Sequence, residues 1–268
     1  MIQGCANWKN IVINRLAVLV IIFSLALFGC AGSRPSTKAK ARVFENLGNS
    51  LVMQSNFREG LSNLLKAGEL DPKNAEIQHE LALVYRTLGE YQQSFRHFKK
   101  ALALKPQFPE AWNNLGTLYL LTEKWDEAIA GFQKASEDTL YKTPHFAYHN
   151  MGLAYFNKGE CKKAIDNYLH ALMSFPSYSL CHYNLARAYE ADKNWDKAVS
   201  SYQKAISNYP EYEAAHLDLG KLFLKLGKKE KAGKELRLAA EIDPEGTCAR
   251  EAGELIEKYQ FDVKQQDD

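Results

Sequence analysis

The sequence predicts an all-α protein, a superhelix of six helix-turn-helix repeats followed by a C-terminal capping helix. The first observation is periodicity: alanine recurs at positions 67, 101, 135, 171, 205 and 239, at spacings of 34, 34, 36, 34 and 34 residues. The second is a proline at the end of five of the six units, because proline cannot continue a helix. Repeats of this length bury their apolar faces only against one another, so they stack into one superhelix.

The third unit shows the repeat pattern most clearly. Its spaced small and large residues are Trp112, Leu115, Gly116, Tyr119, Ala128, Phe132 and Ala135. This pattern resembles the tetratricopeptide repeat, whose signature encodes two antiparallel helices in about 34 residues. The resemblance implies that the fold is a tetratricopeptide-repeat superhelix.

The chain begins with a pattern typical of an exported protein. Lys9 and Arg15 precede an apolar run from Leu16 to Phe28 that is broken only by Ser24. Thirteen residues are too few for a comfortable membrane span but match the apolar part of a secretory signal. We therefore expect residues 1–29 to be a lipoprotein signal peptide, with an uncleaved N-terminal anchor as the alternative.

The apolar run ends in a tetrapeptide that resembles a bacterial lipobox, Leu27-Phe28-Gly29-Cys30. The resemblance implies cleavage before Cys30 and lipidation of that cysteine, and several acyl chains form a stable anchor. Ala31, in place of aspartate, implies sorting to the outer membrane, so we expect the mature chain on its periplasmic face. Residues 30–40 are then the lipidated cysteine and a flexible linker, because the segment is small, polar and contains proline.

Six repeats are expected over residues 41–246, with starts at 41, 75, 109, 145, 179 and 213. The eighth residue of each repeat is glycine or alanine, which allows the two helices of the repeat to approach closely. Large residues at the twenty-fourth position fill the space between helices, namely Leu64, Phe98, Phe132, Tyr168, Tyr202 and Leu236. These side chains are expected in the core.

A superhelix needs a polar cap at its end. Residues 247–260 read as an amphipathic capping helix, with Ala252, Gly253, Ile256 and Tyr259 facing inward. Residues 261–268 are mostly polar and are expected to form a frayed tail.

Composition excludes some classes of partner. Lys9 and Arg15 are the only charged residues of the first 29, so the mature chain carries 32 basic and 32 acidic residues. No basic stripe is present for nucleic acid, and no cofactor or small-molecule substrate is expected.

The sequence carries no recognised catalytic signature, so an enzyme is not expected. It contains no zinc-protease, serine-hydrolase, phosphate-loop or dinucleotide-binding motif. His145 and His149 are four residues apart on a predicted helix and could face one metal ion. No carboxylate at matching spacing completes the set, so the metal site is kept only as an alternative.

The inner face of the superhelix is the predicted binding surface. Asparagine recurs at the sixth position of the repeats, at Asn46, Asn114, Asn150 and Asn184. Amides both donate and accept hydrogen bonds, so such a column could hold the backbone of an extended peptide. The alternative is that asparagine at this position belongs to the repeat itself.

Apolar residues are also predicted on the inner face. Val52, Met53 and Leu83 lie in the first two repeats. The later repeats contribute Phe146, Leu153, Phe156, Leu180, Tyr183 and Leu217. An apolar groove favours an amphipathic helix or an apolar strand as its ligand.

An irregularity in the repeat length points to a more specific family. The third repeat is two residues longer than the others, and its last segment reads Ala135-Ser136-Glu137-Asp138-Thr139-Leu140-Tyr141-Lys142-Thr143-Pro144. Together with the lipobox and six repeats, this junction resembles the PilF/PilW family of type IV pilus biogenesis lipoproteins. The resemblance covers essentially the whole mature chain.

The resemblance implies a pilotin, a lipoprotein that carries the secretin subunit to the outer membrane and promotes secretin assembly for the type IV pilus. The expected partner is a segment of the secretin subunit bound in the concave groove. The alternative is a general periplasmic adaptor for a protease, a cell-wall enzyme or outer-membrane assembly machinery.

Overall fold

The computed structural model describes residues 36–139 and 141–261, and within these residues it contains thirteen α-helices and no strand. The first helices of the six repeats are α1 (Thr37–Met53), α3 (Ala75–Thr87), α5 (Pro109–Leu121), α7 (Pro144–Asn157), α9 (Ser179–Ala191) and α11 (Glu213–Lys225). The second helices are α2 (Phe57–Leu70), α4 (Tyr91–Leu104), α6 (Trp125–Ser136), α8 (Cys161–Ser174), α10 (Trp195–Asn208) and α12 (Lys229–Ile242). A last helix, α13 (Thr247–Lys258), follows the sixth repeat. The predicted all-α repeat superhelix is confirmed.

The signal peptide, Cys30 and the tail from residue 262 lie outside the described residues. Helix α1 differs from the prediction, because it begins at Thr37 and includes residues 37–40 that were expected in the linker. The Ser36 side chain accepts a hydrogen bond from the Ala39 backbone N–H at 3.2 Å. Such a cap satisfies a free N–H of the first turn and lets the helix start earlier.

Glycines let the two helices of a repeat cross closely. A Cβ atom on Gly116 would lie 2.7 Å from the Phe132 ring, and one on Gly152 would lie 2.7 Å from the Tyr168 ring. Both rings are fully buried, so neither can move aside without disturbing the core. As predicted, the small eighth residue of each of these repeats packs against the large twenty-fourth residue of the same repeat.

The turn between the two helices of each repeat needs a left-handed backbone at its fifteenth residue. Glycine supplies this conformation in three repeats, at Gly89, Gly159 and Gly227. The other three repeats use Ser55, Glu123 and Lys193, with φ of 62°, 58° and 60°. Side chains disfavour this region by roughly 1–2 kcal/mol per residue, so these three turns carry a local cost.

Consecutive repeats are also joined through the end of the preceding unit. The ring N–H at the fourth position of a repeat donates to the carbonyl oxygen of the preceding terminal proline. The bonds are Trp112 Nε1 to Pro106 O at 2.9 Å, His182 Nε2 to Pro176 O at 2.8 Å and His216 Nε2 to Pro210 O at 3.0 Å. The histidines at this position thus close the junction between repeats.

The elongated junction is anchored by Tyr141. This side chain is buried and packs with Phe132, Ala135, Ala147 and Met151. The extra chain therefore adds an aromatic ring to the core between the third and fourth repeats.

The capping helix α13 covers the last repeat with Ala249 and Ala252, which are buried. Three details differ from the prediction. Gly253 and Tyr259, expected to face inward, are exposed. Phe261, expected to start the frayed tail, packs near Gly233. The bare backbone of a glycine leaves room for a ring, which explains the position of Phe261.

Candidate functional site: the concave groove

The first helices of the repeats form the inner side of the superhelix. Helix α1 contacts α3, α3 contacts α5, α5 contacts α7, and α7 contacts α9, although each pair is separated in sequence by a second helix. Elements on the inside of a curved stack lie closer to one another than elements on the outside. The exposed side chains of these helices therefore line a concave groove.

The asparagine column connects neighbouring repeats. In each case the sixth residue of one repeat is hydrogen-bonded to the fifth residue of the preceding repeat. The pairs are Asn114 Nδ2 with His79 Nε2 at 3.1 Å, Asn150 Nδ2 with Asn113 Oδ1 at 3.4 Å, Asn184 Nδ2 with His149 Nε2 at 2.9 Å, and Asp218 Oδ2 with the Tyr183 hydroxyl at 2.7 Å. The column thus sets the register of successive inner helices.

This finding revises the expected role of Asn184. Its side chain is buried, so it is not available to a ligand. Asn114 and Asn150 are half-buried and keep part of their hydrogen-bonding capacity, whereas Asn46 is exposed and has no partner among the described residues. A substitution of Asn114 or Asn150 would alter repeat stacking as well as any ligand contact.

Two histidines of the groove are held neutral. Burial, with the nearby Arg86 for His79, lowers the pKa of His79 and of His149 to about 4. A neutral imidazole ring can accept a hydrogen bond on one nitrogen and donate one from the other. His149 accordingly accepts from Asn184 and donates from Nδ1 to Asn150 Oδ1 at 3.3 Å, which links repeats 5, 4 and 3 in one chain of hydrogen bonds.

The first two repeats present carboxylates. Burial raises the pKa of Glu80 to about 7, and the nearby Glu45 and Glu76 add to this effect. Asn49 Nδ2 donates to Glu80 Oε1 at 2.8 Å, but Glu80 Oε2 is buried and has no hydrogen-bond partner among the described residues. This end of the groove thus holds a carboxyl group that is only partly satisfied.

The apolar residues predicted on the inner face are not equally accessible. Phe146 and Leu180 are 40% and 41% exposed, and Met53 is 87% exposed. Val52, Leu83, Leu153 and Tyr183 are half-buried. Leu217, which was expected in the groove, is buried against the last repeat and the capping helix.

Repeats 4 to 6 add charges that the sequence pattern did not single out. Arg187, Lys221 and Lys225 line a cleft together with Phe156, Glu190 and Asp218. The guanidinium carbon of Arg187 lies 5.3 Å from the centre of the Phe156 ring and 5.7 Å from that of the Tyr183 ring. The signal that could have identified Arg187 is its ninth position, one repeat after Leu153 on the same face.

The alternative metal site has no support in the geometry. His149 is engaged with Asn150 and Asn184, and His145 packs against the rings of Phe146, Phe175 and Tyr178. Residues 36–139 and 141–261 contain no group of three or more side chains suited to holding a metal ion. In the same part of the chain, no helix is long and apolar enough to cross a bilayer.

Comparison with known proteins agrees with this architecture. Three family models for the tetratricopeptide repeat match residues 82–122, 149–213 and 191–251. The type IV pilus assembly protein PilF of Pseudomonas aeruginosa is 30% identical over 145 residues, which are 51% of this chain and 58% of PilF. A lipoprotein NlpI homolog of Haemophilus influenzae is 30% identical over 159 residues, 56% of this chain and 50% of that protein. The chain therefore spans about half the length of the curated relatives it matches.

Two solved structures align with most of this chain. The structure of P. aeruginosa PilF aligns with 82% of this chain and 99% of its own, with a TM-score of 0.71 and 20% identity. The structure of PilW, a type IV pilus biogenesis factor, aligns with 78% of this chain and 96% of its own, with a TM-score of 0.73 and 23% identity. At such identities these structures establish a common fold.

Proposed function

Since this chain is a tetratricopeptide-repeat protein similar to PilF and PilW, we propose that it is a non-enzymatic pilotin. In this role it binds a segment of the secretin subunit in the periplasm and promotes secretin localisation and assembly at the outer membrane. The observation that carries the proposal is the concave groove, where Phe146 and Leu180 are exposed on the inner helices of the repeats. Exposed apolar side chains in a groove favour a peptide or helix as ligand.

The proposed anchor is the lipid on Cys30, which lies outside the described residues. Between Cys30 and the start of α1 at Thr37 there are six residues, so an extended linker would hold the repeats within about 25 Å of the lipid. Such a tether raises the effective concentration of the groove at the membrane surface. In this proposal the lipid localises the protein to the membrane, and the groove recognises the partner.

The proposal is tested by membrane fractionation in the organism that encodes the chain. A strain that lacks the gene is complemented with the wild-type protein or with the Cys30→Ser variant, and secretin is followed by immunoblot in inner-membrane and outer-membrane fractions. We expect assembled secretin in the outer membrane only with the wild-type protein. Normal secretin assembly in the deletion strain would contradict the pilotin role.

A general periplasmic adaptor is the second candidate, favoured by the similarity to an NlpI homolog. It predicts unchanged secretin in the deletion strain, together with changed levels of a protease, a cell-wall enzyme or outer-membrane proteins. Quantitative proteomics of the same fractions separates the two functions.

A further inference from the structure

The inner surface of repeats 4 and 5 combines apolar side chains with one cation. We call this surface the groove patch, and it consists of Phe146, Leu153 and Phe156 on α7 and of Leu180, Tyr183 and Arg187 on α9. Arg187 is the only charged member of the groove patch, so its guanidinium adjoins a neutral, apolar surface.

Arg187 is exposed and has no carboxylate partner among the described residues. The two acidic side chains that line the same cleft, Glu190 and Asp218, are already engaged. Glu190 accepts a hydrogen bond from the Tyr202 hydroxyl at 3.2 Å and lies 3.8 Å from Lys225 Nζ. Asp218 accepts from the Tyr183 hydroxyl at 2.7 Å and lies 3.5 Å from Lys221 Nζ. The donors of the Arg187 guanidinium therefore remain open to a ligand.

The rings of Phe156 and Tyr183 orient the Arg187 guanidinium before a ligand binds. Contacts with Phe156 and Tyr183 hold the guanidinium above apolar surface and restrict its orientation. A planar guanidinium with free donors binds a carboxylate through two parallel hydrogen bonds, which adds both strength and directionality. A ligand that covers the neighbouring apolar side chains would also remove water from this pair and strengthen it.

The opposite end of the groove has the opposite preference. Glu45 of repeat 1 and Glu76 of repeat 2 lie close enough to Glu80 to oppose its ionisation. Arg86, a cation of the same region, already donates to Asn114 Oδ1 at 3.3 Å. An acidic ligand placed there would meet like charge, so electrostatics direct it toward repeats 4 and 5.

We propose that the groove patch binds a segment in which an aspartate or glutamate lies next to aliphatic or aromatic residues, with its carboxylate paired to Arg187. The apolar side chains of the segment pack on Phe146, Leu153 and Leu180. This inference deepens the proposed function by giving the chemistry of the bound segment, which would belong to the secretin subunit.

The test is selection from a random displayed peptide library on the purified full chain in detergent. The wild-type protein is expected to enrich peptides that carry Asp or Glu beside Leu, Ile or Phe. The Arg187→Glu variant should bind these peptides about tenfold or more weakly and should select Lys or Arg in place of the acid. The Arg187→Lys variant keeps the charge but loses the bidentate geometry, so it should bind with intermediate affinity.

The matched control is Lys162→Glu, the same charge reversal at an exposed lysine on the second helix α8. It should leave selection and affinity unchanged, and circular dichroism checks that each variant remains folded. Enrichment without an acidic residue, no enrichment at all, or the same peptides for wild type and Arg187→Glu would overturn the inference.

A second arm separates this inference from the pilotin role. Peptides tiled from the secretin of the same organism are measured on the same proteins. If the library yields acidic–apolar peptides but no secretin peptide binds, the secretin is rejected as the partner, and the binding preference of the groove patch is still supported. If secretin peptides bind equally well to wild type and to Arg187→Glu, the secretin is supported as the partner, and the proposed role of Arg187 is rejected.

Discussion

Buried polar side chains, rather than apolar packing alone, set the spacing between the inner helices. His149 and Asn184 form one such contact, in which the amide reaches a ring nitrogen that burial keeps unprotonated. Asn114 and His79 repeat the arrangement two units earlier. Satisfied polar pairs of this kind favour one register, because a shifted repeat would leave buried donors and acceptors without partners.

Glycine at the eighth position permits a tight helix crossing. We predict that Gly152→Ala destabilises the protein by about 1–3 kcal/mol, because the new methyl group would overlap the buried Tyr168 ring. Gly253→Ala is the matched control, since among the described residues no side chain and no other helix comes within 4 Å of the new Cβ position in α13. The control should raise stability by roughly 0.5–1 kcal/mol. Urea unfolding measures both, and equal effects of the two changes would contradict the packing account.

Glu80 makes stability depend on pH. Its carboxyl has a pKa raised to about 7 in the folded protein, so its contribution is fully present below the unfolded value near 4.5 and is lost as pH rises through 7. Glu80→Gln should remove this loss and raise stability at pH 8 by about 1–2 kcal/mol relative to wild type, after allowance for partial exposure.

The measurement for Glu80→Gln is thermal unfolding at a series of pH values. His79 and His149 act in the opposite direction, because their pKa values are lowered and their contribution is lost as pH falls from about 6.5 through about 4. The difference between wild type and variant isolates Glu80 from these histidines. A constant difference from pH 4 to pH 8 would refute the assignment.

At the scale of helices and turns, the sequence carried most of the information. Prolines and glycines mark helix ends directly, so the starts of α3, α5, α9 and α11 coincide with the predicted repeat starts. Features that depend on side chains from two repeats were missed, such as the bond between Asn150 and Asn113. Phe261 was also missed, because its packing near Gly233 is a tertiary contact with no periodic signal.

The left-handed turn residues could not be read from the pattern either, since half of them are not glycine. We predict that Lys193→Gly raises stability by up to about 1 kcal/mol, because glycine removes the steric cost of φ near 60°. Lys193→Ala is the control, as it removes the same long side chain but keeps a Cβ atom. Chemical denaturation should show stabilisation for glycine alone, and equal stabilisation by alanine would assign the effect to the lost lysine side chain.

At the scale of the whole molecule, the repeats create a surface that no single repeat could form. Inner helices α7 and α9 bring Phe146, Leu180 and Arg187 to one side of the groove. The sequence predicted the apolar members of this surface from their positions within the repeat. It did not predict Arg187, because the environment of this residue depends on rings from two successive repeats. The groove is thus a product of stacking, and the proposed function depends on its use as a binding site.

Binding in the groove is tested by quantitative capture of secretin by the full-length, lipidated protein from detergent-solubilised envelopes of its own organism. Three versions are compared: wild type, Leu180→Asp in the groove, and Met173→Asp on the second helix α8, where the side chain is 78% exposed. We predict that secretin is the dominant partner of wild type and of Met173→Asp and falls about tenfold or more for Leu180→Asp. Equal secretin recovery by all three proteins, or no secretin with the wild type, would contradict the account.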